Sequence, residues 1–190
     1  MLLLDRRSSA GKLADTGLVT PPAVERRLGR QTPLTSGRQD ALAREEPDSW
    51  LLGVHGGAGV TSLLRAGVTA MDAGGNWPSS GEVLAVSRRS AYGLEWARDT
   101  ARQHASGDVP DGVELAGLVV VADAPGQTPR RIARFLDLIC GAYPRVWEVP
   151  WVEEWRLAGH LEPLPTPPSV RQLREDMQAL TGAGTDRARE

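Results

Sequence analysis

Lysine is almost absent from this chain. It occurs once, at Lys12, so nearly all positive charge is carried by arginine. No lysine therefore lies near the middle of the sequence, and only a distant Lys12 folded back could supply one there. Cysteine also occurs once, at Cys140, which excludes an internal disulfide and a multi-cysteine zinc site. Its neighbours Leu138 and Ile139 predict a buried, inert thiol, a common state of a free cysteine. The histidines His55, His104 and His160 are scattered, which argues against a metal cluster. The formal net charge is −2, so no bulk field draws in nucleic acid or an anionic membrane. No apolar run approaches the roughly 20 residues that cross a bilayer. Met1 to Leu4 is too short for a secretory core and runs straight into Asp5-Arg6-Arg7, so a cytoplasmic protein without membrane insertion is expected.

What the chain does have is the run Leu51-Leu52-Gly53-Val54-His55-Gly56-Gly57-Ala58-Gly59-Val60-Thr61-Ser62-Leu63. An apolar strand passes into a glycine-rich turn and then into a hydroxyl pair that can open a helix. Such a turn holds phosphate when successive backbone N–H groups face one concavity, and glycine lets the backbone take that shape. Gly56, Gly57 and Gly59 can form the concavity, with Ala58 between them. Thr61 stands at the magnesium-ligand position and Ser62 follows it. The lysine that would neutralise phosphate charge is missing, because Val60 holds its place.

Around this turn the pattern alternates between strand and helix. Trp50 to His55, Glu82 to Ser87, Val113 to Val121 and Arg145 to Val149 are short apolar runs of strand length. Leu63, Leu64, Gly67, Val68 and Met71 recur at helical spacing, and Gly74-Gly75 with Pro78 is expected to end that helix. Tyr92 to Ser106 places Leu94, Ala97, Ala101 and Ala105 on one helical face, with Gly107 as its stop. Thr128-Pro129 is expected to cap a helix carrying Ile132, Phe135, Leu136 and Ile139, with proline at its first position and Gly141 just past its end. The fold class expected is α/β, a compact three-layer parallel sheet of about four or five strands with a P-loop-like strand-to-helix turn. Ligands of such sheets sit at the carboxyl ends of the strands. Residues 1–47 read as a disordered leader and 48–160 as the α/β domain. A stiff Pro-rich linker over 161–168 follows, then an amphipathic helix over 169–182 and a frayed tail over 183–190. Ser169 and Gln172 have capping-box spacing, and Gly182 is the expected stop.

The turn resembles the deviant Walker A loop of the ParA/MinD family of P-loop ATPases. That pattern runs lysine, two glycines, a small residue, glycine, lysine and two hydroxyl residues. His55 falls on the first lysine, Gly56-Gly57-Ala58-Gly59 on the glycine stretch, Val60 on the catalytic lysine and Thr61-Ser62 on the hydroxyls. Glu82 to Ser87, Leu118 to Val121 and Val146 to Pro150 resemble later strands of that family. The family's second strand and its Walker B strand would lie between the turn and Glu82, where the chain is shortened. Asp72 is either a relic of the former or a helix end. Asp123, in Ala122-Asp123-Ala124-Pro125-Gly126, is either a Walker B aspartate or an exposed residue in a strand-end turn. The resemblance implies a catalytically silent relative that acts as an interaction or regulatory protein. The alternative it leaves is a switch that binds Mg-ATP or Mg-GTP, with Thr61 and Asp123 on the metal. The pattern also resembles an uncharacterised actinobacterial family encoded among plasmid-transfer genes. That likeness rests on the lysine-free glycine loop, the Asp123 turn and the Val146 to Trp151 segment.

Several other residues are candidates for contacts. Arg88-Arg89 and Arg130-Arg131 follow strands and either replace the lost lysine in part or are simply solvated. Arg65 reaches the turn only by folding back. Trp147, Trp151 and Trp155 recur every four residues, and Trp151 with Trp155 forms either core or an anchor for a protein partner. Val170, Leu173, Met177 and Leu180 make an apolar stripe. It either packs on its own domain or docks on a partner protein or a second copy of the chain.

Overall fold

The computed structural model describes the backbone of residues 49–187, and side chains as far as Ala179. The expected leader over 1–47, Lys12, the side chain of Leu180 and residues 188–190 lie outside the described residues. The strands are β1 (Ser49–Gly53), β2 (Met71–Asp72), β3 (Gly81–Arg88), β4 (Val113–Val121) and β5 (Val146–Val149). The helices are α1 (Val60–Arg65), α2 (Ala91–Ser106), α3 (Arg130–Cys140), α4 (Glu153–Leu157) and α5 (Pro168–Arg187). All strand pairs are parallel, in the order β2-β1-β3-β4-β5. This is the expected parallel α/β sheet.

The strands are apolar along their whole length because both faces are covered. Successive residues alternate between two cores. Leu51, Leu84, Val86, Val119, Val121 and Val149 face α1 and α5. Leu52, Val83, Ala85, Leu118 and Val120 face α2 and α3. Gly117 is required by packing: a side chain there would meet the Trp147 ring at 2.5 Å and the Arg145 carbonyl at 2.6 Å. The pairing of β3 with β4 slips by one residue beside it.

Local sequence sets the helix ends. Ser90 caps α2 by accepting from the Gly93 N–H, and Gly107 closes it at φ 77°. α1 is shorter than its spacing suggests. Gly67 at φ 92° ends it, with Gly67 N–H bonding Leu64 O and Val68 N–H bonding Leu63 O. That is a Schellman stop, and Leu63 and Val68 then share the core. The helix expected to continue through Met71 is therefore corrected: Met71 and Asp72 form edge strand β2. The capping box expected at Ser169 does not form. The Ser169 hydroxyl is buried without a partner, α5 opens at Pro168, and Gln172 bonds forward to Asp176. Gly182 does not stop α5, which continues to Arg187.

Candidate functional site

The sheet reverses direction of growth between β1 and β3. β2 is added on one side of β1, and β3, β4 and β5 on the other. Crevices outside the carboxyl ends of strands at such a switch point are where open α/β sheets bind ligands. A cavity of about 620 Å³ opens there, within the size range of small-molecule sites. One wall is the turn from Gly53 to Ser62. The other walls are Asp72, Gly74 and Gly75 after β2, Arg88 at the end of β3, and Tyr92 and Trp96 on α2.

The turn links β1 to α1, as its sequence suggests. Gly57 (φ 76°) and Gly59 (φ 114°) take conformations that disfavour other residues. Gly59 also lies against Val121, where a side chain would stand 3.2 Å from Cγ2. Among the described residues, the backbone N–H groups of Gly56, Gly57, Gly59, Val60, Thr61 and Ser62 find no backbone acceptor. They lie on the cavity wall, where a ligand or water can satisfy them.

The cation of this crevice is Arg88. Its Nε donates to Gly57 O at 3.0 Å and one terminal nitrogen donates to Ala122 O at 2.9 Å. The guanidinium thus spans the carboxyl ends of β1, β3 and β4. Two of its five N–H donors are used in these bonds, and the remainder are free for an anion. His55 fixes the base of the arginine. Its Nε2 accepts from the Arg88 backbone N–H at 3.2 Å and its Nδ1 lies 2.9 Å from Gly56 O. That is the bonding of a neutral ring protonated on Nδ1. His55 is therefore a brace between the turn and β3.

The other expected site residues divide clearly. Thr61 and Ser62 line the cavity, as do Ala58 and Val60, which are also buried in the core. Asp123 is exposed and is not among the residues that line the cavity with Thr61. Asp72 lines it instead, with one carboxylate oxygen accepting from Gly74 N–H at 2.7 Å. Among the described residues no three His, Cys, Asp or Glu side chains gather in a metal-binding group. Arg65 is spent on the carbonyls of Gly159 and Glu162, Arg89 pairs with Glu148, and Arg130 and Arg131 are exposed away from the cavity.

The expected partner surfaces are largely internal. Val170, Leu173 and Met177 are buried against the sheet, so this part of the α5 stripe packs on its own domain. Trp147 is core, and its indole N–H donates to Asp176 at 2.8 Å. Trp155 packs on the same core and donates to Pro165 O. Trp151 precedes α4 and so shares no helical face with Trp155. Both line a smaller cavity of about 140 Å³ that also touches Arg88. Cys140 is half-buried, and burial, then the Glu148 and Asp137 carboxylates, raise its pKa, which keeps the thiol protonated.

Tyr92 and Trp96 are site residues that sequence reasoning passed over. Their signal is spacing: two large aromatics four apart on α2, on the face opposite buried Leu94, Ala97 and Ala101. A model of one protein family matches residues 48–173. The chain belongs to DUF6668, a family of unknown function. It matches no curated protein and no solved structure. The DUF6668 match runs from the residue before β1 to Leu173 within α5. The turn, Asp72, Arg88, the aromatic pair and the start of α5 are thus all part of the family domain. No described helix is long and apolar enough to cross a membrane.

Proposed function

We propose that this protein is a catalytically silent, P-loop-like binding module that takes a phosphate-bearing ligand at the β1–α1 turn and serves a regulatory role. The observation that carries this reading is the Arg88 guanidinium, held beside the glycine turn at the switch point by Gly57 O and Ala122 O. Unpaired turn N–H groups and one fixed cation suit an oxyanion. Silence is supported by two further features. The lysine position is filled by Val60, whose side chain belongs to the core. Asp123, the acid expected to hold a metal with Thr61, lies off the cavity wall. Transition-state charge on a transferred phosphoryl group is then left with Arg88 alone. A role beside plasmid partition or transfer, through a protein partner, rests on the sequence resemblance only.

The test is a thermal-shift titration of the full chain with ATP, GTP and AMP, with and without Mg²⁺, beside a phosphate-release assay. At about 100 times its Kd a ligand adds about 2.7 kcal/mol of stability. We expect a shift with at least one of these ligands and no phosphate release. Arg88→Gln should weaken binding by about ten- to a hundredfold, since a hydrogen bond to a charged group contributes about 1.5–3 kcal/mol. No shift at millimolar concentrations of all three would overturn the reading.

A further inference from the structure

Tyr92 and Trp96 stand out among the aromatic side chains. Trp147 and Tyr143 are buried and hydrogen-bonded, and Trp77, Trp151 and Trp155 each donate their indole N–H to a protein oxygen. Tyr92 is 60% exposed and Trp96 45% exposed, both on the cavity wall. Their rings meet edge to face at 6.2 Å, and His55 packs against Tyr92 at 5.6 Å. The polar atoms of Tyr92 and Trp96 find no hydrogen-bond partner among the described residues. Exposed large apolar surface beside a cavity marks a place for a ligand.

The remaining walls limit what that ligand is. Of the groups lining the cavity only Arg88 is a fixed cation, and Asp72 opposes it. One cation suits a single phosphate and leaves the several charges of a triphosphate unmatched. Asp72 ends the strand beside β1, the place from which an acidic residue reaches a ribose hydroxyl in nucleotide-binding sheets. One of its oxygens is held by Gly74 N–H, which fixes the carboxylate and leaves its other oxygen to accept from a ligand.

Resting on the anion reading above, we infer that the cavity selects a mononucleotide-type ligand. A single phosphate lies on the turn and Arg88, sugar hydroxyls meet Asp72, and a flat heteroaromatic ring stacks on Tyr92 and Trp96. A purine nucleotide and a flavin mononucleotide share this chemistry, and both belong in the test.

The experiment is calorimetric titration of the full chain at low salt with AMP, GMP, flavin mononucleotide, ATP, inorganic phosphate, adenosine and riboflavin. We expect at least one monophosphate to bind about tenfold or more tighter than its ring compound without phosphate, than inorganic phosphate and than ATP. Tyr92→Ala and Trp96→Ala should each weaken it about tenfold, with melting temperatures unchanged because both side chains are exposed. Asp72→Asn should narrow any preference for the ribonucleotide over its 2′-deoxy form. If all phosphate compounds bind alike in an Arg88-dependent way, or the aromatic substitutions change nothing, the ring inference fails and the anion reading stands. If nothing binds, or binding ignores Arg88→Gln, the anion reading fails and takes the inference with it.

Discussion

Single atoms decide where the crevice can tolerate change. Gly93, in the first turn of α2, is pressed against the end of β3: a side chain there would meet the Arg88 carbonyl, Ser87 Oγ at 2.8 Å and His55 Nε2 at 2.9 Å. The Arg88 carbonyl is backbone and His55 is the brace that holds Arg88, so neither can swing away. Gly56 is the opposite case, with nothing within 4 Å of an added side chain and no left-handed φ. Gly93→Ala should therefore cost about 1–3 kcal/mol, as overpacking does, while Gly56→Ala should leave the melting temperature within error. In a chain of this size each kcal/mol moves the midpoint by about 2–4 °C. Equal midpoints for the two variants would show that the helix and β3 are not in the close contact described. Gly93 is a glycine whose need no local sequence rule announces, because the clash is with residues brought there by the sheet.

At the scale of elements, β3, β4 and α2 were legible because their signals are local: apolar runs bounded by turns, a Ser90 cap and a Gly107 stop. The α1–β2 segment reads as one helix because Leu63, Leu64 and Val68 keep helical spacing across a Schellman turn. Gly67, the residue that ends the helix, falls on the apolar stripe itself. The glycine turn was visible as a strand-to-helix junction, yet the choice of Arg88 over Arg65, Arg89, Arg130 and Arg131 needed the tertiary register that brings β3 beside β1. The hold on α5 was equally invisible, since its Trp147–Asp176 bond joins residues far apart in sequence. That bond gives a pH signature. The Trp147 indole, then the Gln172 amide, stabilise the ionised carboxyl and lower the Asp176 pKa in the folded state. A depressed carboxyl contributes stability above its unfolded pKa of about 3.9 and loses it as pH falls through the folded value. Urea midpoints from pH 7 to pH 2.5 should therefore fall more steeply in the parent than in Asp176→Asn. Parallel curves would remove Asp176 from the account of how α5 is held.

At the scale of the whole molecule, the sheet has two apolar faces and α5 is part of the cover of one. α1 is six residues long and leaves much of that face to α5 and the segment before it. The segment is no free spacer. Leu164 is buried, Thr166 donates to Ala66 O, Trp155 donates to Pro165 O, and Arg65 binds the Gly159 and Glu162 carbonyls. Leu164, Val170, Leu173 and Met177 are each buried. At about 1.5–3 kcal/mol for each buried side chain, their burial together is worth on the order of 6–12 kcal/mol. That is comparable to the total stability of about 5–15 kcal/mol of an ordinary domain. A chain ending at residue 162 should therefore lose its cooperative thermal transition, bind a hydrophobic dye and aggregate. Leu173→Ala in the full chain should lower stability by about 2–5 kcal/mol. A truncated chain that stays soluble and melts cooperatively near the parent's midpoint would mean that α5 is separable from the sheet. Its stripe would then again be a candidate for docking on another protein.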